Sequence, residues 1–325
     1  MGTGVFQPEP VSVPCAGGVL ASAPGSIMLT GEHAVLQGQK ALAGAVVQRV
    51  IVRLQPRADQ RVRFVSALGQ CEMRLDCICT EAPFTFVGLA ARDAAGGAAS
   101  RGYNLAIEAE MPPHVGLGSS AAITAATYAA VHAYVHGTTL APQRLWEACV
   151  SVIRSVQGRG SGTDAAASIY GGVILYSQDG GVEERFVEDL PPVSLLYVGY
   201  KTPTARVIDF VEGRRREDPA LYTVLDQRMG QCTEAATAGI RCHDMKRLAR
   251  ALQMGQAVLV GYGVCDPPLQ ALVDTLSGQD GVQAVKISGS GLGDCVLALG
   301  RVSDPLSYAQ IPVVWDTEGV QVKRV

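Results

Sequence analysis

The sequence predicts a mixed α+β protein of two domains, on three observations. Alternating β-branched runs recur early, at 46–54 and 61–65, and read as strands. A further strand at 103–111 runs into a Gly-x-Gly turn and then a long Ala-rich helical stretch. Around 180–192 the composition turns acidic and Pro-bearing, and a fresh set of strands and helices follows. With 325 residues the chain has room for two medium domains with full cores. The expected division is a loose Pro- and Gly-rich arm at 1–14, a first domain at 15–185 and a second at 186–325.

Composition narrows the function. A net charge of -3 leaves no basic stripe, which argues against a nucleic-acid partner. No apolar run reaches membrane-spanning length, and no basic segment precedes an apolar one at the start, so neither a membrane span nor a signal peptide is expected. Nine scattered cysteines, an odd number in a large chain, fit reduced thiols and a cytoplasmic location. Cys71, Cys77 and Cys79 lack a Cys-x-x-Cys pair or a nearby histidine, so buried thiols are expected there rather than zinc.

Taken in order, 19–23 is a short strand, Pro24 and Gly25 read as a turn, and 27–29 as a buried strand end. Glu32 and His33 follow Gly31 and are expected on an edge rather than in a core. Strands at 46–54, 61–65 and 69–80 precede a helix at 83–92 and a Gly/Ala loop at 93–101. The helix at 119–135 is apolar around much of its circumference, the mark of a buried helix. His132 and His136 stand one turn apart but lack the glutamate of His-Glu-x-x-His, so they read as histidines at a helix end.

A second helix at 142–156 repeats Leu145, Cys149, Val152 and Val156 at helical spacing, with Pro142 in its first turn. After a Gly-x-Gly-x-Gly loop at 158–162, Asp164 opens a short Ala-rich helix, where an N-cap role alone could account for it. A strand at 173–176 follows. Beyond the boundary, a strand at 193–200 ends in a polar loop leading to a helix, and 212–218 reads as a solvated charged segment. Helices are expected at 221–238, 245–261 and 268–278, then strands at 282–288 and 295–300, with a last strand or two at 313–323.

Three glycine loops stand out, at 116–118, 158–162 and 289–293. At the first, Gly116 and Gly118 let something bulky approach the backbone, and Ser119 and Ser120 begin a helix whose free N–H groups and partial positive charge suit phosphate. None is a Walker A loop. Gly116-Leu-Gly-Ser-Ser-Ala121 formally fits a dinucleotide fingerprint. That fold needs a second strand ending in an acidic residue, whereas here a polar turn and another helix follow.

In Pro113-His-Val-Gly-Leu-Gly-Ser-Ser-Ala-Ala122 the chain resembles the nucleotide loop of the galactokinase, homoserine kinase, mevalonate kinase and phosphomevalonate kinase (GHMP) superfamily. Ala23-Pro-Gly-Ser-Ile-Met-Leu-Thr-Gly-Glu-His-Ala-Val35 looks like its first motif, and Lys286-Ile-Ser-Gly-Ser-Gly-Leu-Gly-Asp-Cys295 like its third, in the right order across most of the chain. The resemblance implies a nucleotide-binding, ribosomal-protein-S5-domain-2-like first domain, a ferredoxin-like second one, and ATP between them. It implies that Pro113, Gly116, Leu117, Gly118, Ser119, Ser120 and Ala121 cradle the triphosphate, that Ser119 binds Mg²⁺, and that Gly289, Ser290 and Gly291 close over the site. Such a site fits phosphoryl transfer, which needs mainly positioning and charge neutralisation.

The segments 31–35 and 162–166, with Tyr170-Gly-Gly172, look most like mevalonate kinase, where the aspartate matching Asp164 serves as base or orienter of the attacking hydroxyl. The loop at 156–161 and the Gly-Asp-Cys ending of the third motif look more like phosphomevalonate kinase. Two departures stand out: Ser26 replaces a family lysine, and Ile153, 11 residues before Asp164, replaces a Mg²⁺-binding glutamate. The expected activity is a cytoplasmic, ATP- and Mg²⁺-dependent kinase acting on mevalonate. Ser26, Glu32, His33 and Thr204 are candidate substrate or active-site contacts. The alternatives are phosphomevalonate, for which Lys201, Arg159 and Arg206 offer cations, another acceptor of the superfamily, or a non-catalytic ligand sensor on the same fold. Oligomeric state is left open, with a homodimer among the options.

Overall fold

In the computed structural model the described residues are 17–78, 80–111 and 115–325. The expected arm at 1–14, Cys15, Cys79, Pro113 and His114 therefore lie outside them.

The first sheet has eight strands. β1 (Val19–Thr30) and β2 (Ala41–Pro56) are its long antiparallel centre, flanked by β5 (Tyr103–Ala109), β3 (Arg61–Ser66) and β4 (Gly69–Arg74). β3 and β5 pair in parallel. β6 (Val173–Ser177) joins β2, and β7 (Gly181–Phe186) folds back on β6. Four helices belong with this sheet: α1 (Thr85–Ala95), α2 (Ser119–His136), α3 (Pro142–Gln157) and α4 (Thr163–Tyr170). α2 is buried along most of its length, and its alanines at 121, 122, 125, 126, 129, 130 and 133 bring its backbone close to its neighbours. Short side chains thus place the start of α2 near the middle of β1.

The second region is a four-stranded antiparallel sheet, ordered β11 (Ala309–Ile311), β8 (Val193–Lys201), β10 (Gly293–Gly300), β9 (Val282–Ser288). α5 (Thr204–Glu217), α6 (Pro219–Arg241), α7 (Met245–Tyr262) and α8 (Pro267–Ser277) lie between β8 and β9 in the chain and share its core. α6, α7 and α8 start at Asp218, Asp244 and Asp266, whose side chains accept N–H groups of the first turn.

Several expectations change. Pro24 and Gly25 do not turn the chain, because β1 runs straight through them with a bulge in its pairing to β2. The strand expected at 69–80 ends at Arg74. The acidic stretch after 180 contains β7, whose pairing with β6 puts it in the first sheet. Residues 212–217 of the charged segment are the end of α5 and Asp218 caps α6, and Arg215 there is mostly covered and holds both oxygens of buried Asp226.

The expected second domain also loses its tail. β12 (Gln321–Arg324) pairs antiparallel with the start of β1, and Val46 bridges to Trp315. Arg49 clamps this return: it contacts Asp316 and donates to Ser22 Oγ (3.0 Å) and to the Gly319 carbonyl (2.6 Å). Asp316 Oδ1 also accepts the Gly319 amide at 2.8 Å.

Candidate active site

The first glycine loop touches β1 directly. Ser26, fully buried in mid-strand, donates its backbone N–H to the Leu117 carbonyl at 3.0 Å. A Cβ on Gly25 would lie 2.8 Å from that carbonyl, and one on Gly118 would lie 2.0 Å from Ser26 Oγ. Loop and strand meet because both positions are glycine. Gly118 takes a left-handed φ of 61° and caps α2 without a side chain, so the first turn keeps unfilled backbone donors for an anion. Within the expected cradle, the Leu117 amide donates to Val115 O (2.8 Å) and the Ala121 amide to Gly118 O (2.9 Å), so those two are engaged inside the loop. Ser119 is exposed and Ser120 half-buried at the helix start, and Gly116 lines the turn before it.

The second loop delivers Asp164 to the same place. Trp146 Nε1 donates to the Gly162 carbonyl at 3.2 Å, and Tyr176 Oη to the Ser161 carbonyl at 2.5 Å, fixing the loop from below. Ser168 Oγ donates to the Pro24 carbonyl at 2.5 Å, fastening α4 to β1. Asp164 Oδ1 then accepts a hydrogen bond of 2.8 Å from Ser26 Oγ. Asp164 is open to solvent on one side while protein crowds the others. That desolvation pushes its carboxyl above the ordinary aspartate range; the Ser26 hydrogen bond and the Lys201 ammonium pull it back, and the Asp294 carboxylate adds to the rise. Ile153 of α3 is buried and apolar and offers no ligand to a metal.

The third loop comes from the second region. Gly289, Gly291, Leu292, Gly293 and Asp294 all have positive φ, including two non-glycine residues. Ser290 uses its carbonyl, which accepts from His33 Nε2 at 2.9 Å, and Ser288 Oγ donates to the Met28 carbonyl at 2.9 Å. Both bonds tie this loop to β1 and its exit. Asp294 Oδ2 meets Lys201 Nζ at 2.9 Å, and its carboxylate lies against Gly116. Thr204 is exposed in the first turn of α5.

Glu32 and His33 overturn their expected place on an edge. Glu32 is 3% exposed and forms an ion pair with Lys286, which is itself fully buried in β9; the second oxygen of Glu32 has no partner. His33 is 7% exposed, and burial lowers its pKa despite the Ser290 contact. It is therefore a neutral imidazole donating from Nε2. These two residues bridge the regions, Glu32 through Lys286 of β9 and His33 through the Ser290 carbonyl, where the end of β1 meets β9.

Lys286 and Asp294 are the residues whose roles the sequence concealed. A lysine between Val285 and Ile287 in an apolar strand is a signal that a buried partner exists, though not which one. His132 and His136 bond the carbonyls of Thr138 and Ala94, each at 3.0 Å, beside a cavity of about 370 Å³ away from the glycine loops. Among the described residues, no group of three or more His, Cys, Asp or Glu side chains could hold a metal.

The comparisons with known proteins agree with this geometry. The family model described as GHMP kinases N terminal domain matches residues 85–172, and GHMP kinases C terminal matches 234–307. A protein of Thermococcus sibiricus named mevalonate kinase is 32% identical over 300 residues, covering 86% of this chain and 89% of its own. The chain belongs to the GHMP kinase family. This GHMP kinase is accordingly an ATP-dependent phosphotransferase. Among solved structures, the Lin0012 protein of Listeria innocua superposes with a TM-score of 0.83 at 20% identity, covering 95% of this chain and all of that one. A Lactococcus lactis galactokinase complexed with galactose does so at 0.77 and 16% identity, covering 95% of each chain. These likenesses show the fold of this GHMP kinase, and its acceptor has to be read from side chains. No helix among its described residues is long and apolar enough to cross a membrane.

Proposed function

We propose that this kinase transfers the γ-phosphoryl group of ATP to the hydroxyl of mevalonate, in the cytoplasm. The observation that carries the reading is the Ser26–Asp164 hydrogen bond at 2.8 Å, which sets a solvent-open carboxylate beside the start of α2. The acceptor oxygen attacks the γ-phosphorus, the bond from phosphorus to the ADP oxygen breaks, and the acceptor proton passes to Asp164. A carboxyl with a raised pKa is a better proton acceptor than an ordinary aspartate. The Ser26 bond occupies Oδ1 and leaves the second oxygen for the acceptor. The mevalonate assignment is supported by the Thermococcus sibiricus relative, which spans nearly the whole chain.

Mg²⁺ fits as a companion of the nucleotide. The oxygen available to it at the helix start is the exposed Ser119 hydroxyl, a single hard donor that cannot hold the ion without phosphate oxygens. When bound it would neutralise charge on the triphosphate.

Phosphomevalonate is the second reading, on the strength of Arg159 and Lys201. Arg159 already sits on the Asp209 carboxylate at 2.7 Å, which leaves less free positive charge for a phosphorylated acceptor. A coupled ADP-release assay on mevalonate, phosphomevalonate and a sugar panel decides among them. Turnover of mevalonate, abolished by Asp164→Ala, is expected. Near-wild-type turnover by Asp164→Ala overturns the mechanism, and tight ATP binding without turnover of any acceptor makes the protein a sensor.

A further inference from the structure

Phosphoryl transfer shifts negative charge from one oxygen to another, so the site needs fixed positive charge near the transferred group. The start of α2 supplies a partial charge from its backbone. The side chain at position 26 is neutral, and the hydroxyl there is used on Asp164. The ammonium whose charge reaches Asp164 belongs to Lys201, at the end of β8 in the other region.

Asp294 holds it there. The Asp294 side chain is only 4% exposed, its backbone has a φ of 77°, and its Oδ2 lies 2.9 Å from Lys201 Nζ. Its Oδ1 has no hydrogen-bond partner. A Cβ on Gly116 would lie 2.2 Å from each carboxylate oxygen, so this group is wedged against the glycine loop. A buried carboxylate short of partners is costly. Lys201 is its ion-pair partner, and the ammonium charge offsets the carboxylate's beside the glycine loop.

The two partners differ in freedom. Asp294 is fixed by its strained backbone and by Gly116. Lys201 is 30% exposed at the side chain and has a four-carbon stem, so its ammonium can turn toward the cleft while staying near Asp294.

We propose that Lys201 is a catalytic cation that contacts the transferred phosphoryl group, with Asp294 as its positioning residue. The proposal rests on the phosphotransferase reading of this site. During transfer the acceptor O–P bond forms, the P–O bond to ADP breaks and the acceptor proton goes to Asp164, with Lys201 contributing charge alone.

The test measures calorimetric affinity for Mg·ADP and for the imido analogue of Mg·ATP, alongside kcat and KM, in Lys201→Met, Lys201→Arg, Asp294→Asn and the double variant Ser26→Lys/Lys201→Met. Melting curves confirm that each is folded. Lys201→Met is expected to leave ADP affinity within about twofold, to weaken the analogue about tenfold, and to cut kcat about a hundredfold with acceptor KM within about threefold. Lys201→Arg should retain more activity than Lys201→Met. Ser26→Lys should restore about tenfold of the lost kcat by returning an ammonium beside Asp164. Asp294→Asn should lower kcat in the wild-type background and have little effect once Lys201 is methionine. Equal effects on ADP and analogue binding, or a kcat within about twofold of wild type in Lys201→Met, overturn the proposal. Failure of the wild type to turn over mevalonate would count against the acceptor assignment alone, since the ratio of nucleotide affinities still reads Lys201.

Discussion

Ser26 and Asp164, 138 positions apart in the chain, share a 2.8 Å hydrogen bond directly beneath the first glycine loop. Strand β1 and the short helix α4 are thereby joined at the point where chemistry is proposed.

The bond sets a pH dependence. Crowding raises the Asp164 pKa, and the Ser26 hydroxyl opposes that rise by stabilising the ionised form. Ser26→Ala should therefore raise the pKa further, moving the acid limb of the kcat–pH profile to higher pH. The same change should lower kcat by about tenfold at neutral pH through loss of orientation. A profile that stays in place in Ser26→Ala shows that Asp164 does not govern the limb.

Lys286 and Glu32 form a buried ion pair between β9 and the exit of β1, with one Glu32 oxygen unpartnered. Lys286→Met strands a buried carboxylate and should cost about 3–5 kcal/mol in denaturant unfolding. Adding Glu32→Gln should recover a large part of that. Additive losses in the double variant would mean that the two side chains act independently.

His33 predicts a second pH effect, on stability. Burial lowers its pKa, so the folded protein keeps it neutral while the unfolded chain takes up a proton near pH ~6.5. Its contribution is complete above that pH and is lost as pH falls toward the depressed folded value. The wild type should lose more Tm between pH 7.5 and 5.5 than His33→Gln, which keeps a donor for Ser290 but has no titration. Equal losses would assign the acid sensitivity to other groups.

Asp316 joins the C-terminal return to Arg49 and to the Gly319 amide. Asp316→Ala leaves Arg49 mostly covered without its carboxylate and should destabilise by about 2–4 kcal/mol. Hydrogen exchange should accelerate first in β12 and the adjoining part of β1. Exchange that accelerates in β8 and β10 instead would place the clamp's effect elsewhere.

Much of the site was legible because its parts are local. Glycines followed by a helix start give the phosphate loop, and Asp164 follows its loop by two positions. What escaped depends on contacts between distant segments. Pro24 and Gly25 look like a turn, yet Gly25 is there to admit the Leu117 carbonyl, a contact set by a loop some ninety residues away. Glu32 and His33 look like surface residues until β9 is laid over them. Asp294 sits in a glycine-rich motif that announces a loop but not that its carboxylate reaches Gly116. β7 was masked by charge, since an edge strand with one solvated face carries Glu and Arg as readily as a linker does.

The pairing of β12 with β1 also orders events during synthesis. The strand bearing Ser26 is made before its edge partner, which lies some three hundred positions later in the sequence. The first region cannot finish closing on a ribosome until β12 has emerged, so the cleft is completed only after both sheets have been synthesised. A fragment cut at the boundary near 186 would lack that strand and the Arg49 clamp, and would expose the edge of β1 to other chains.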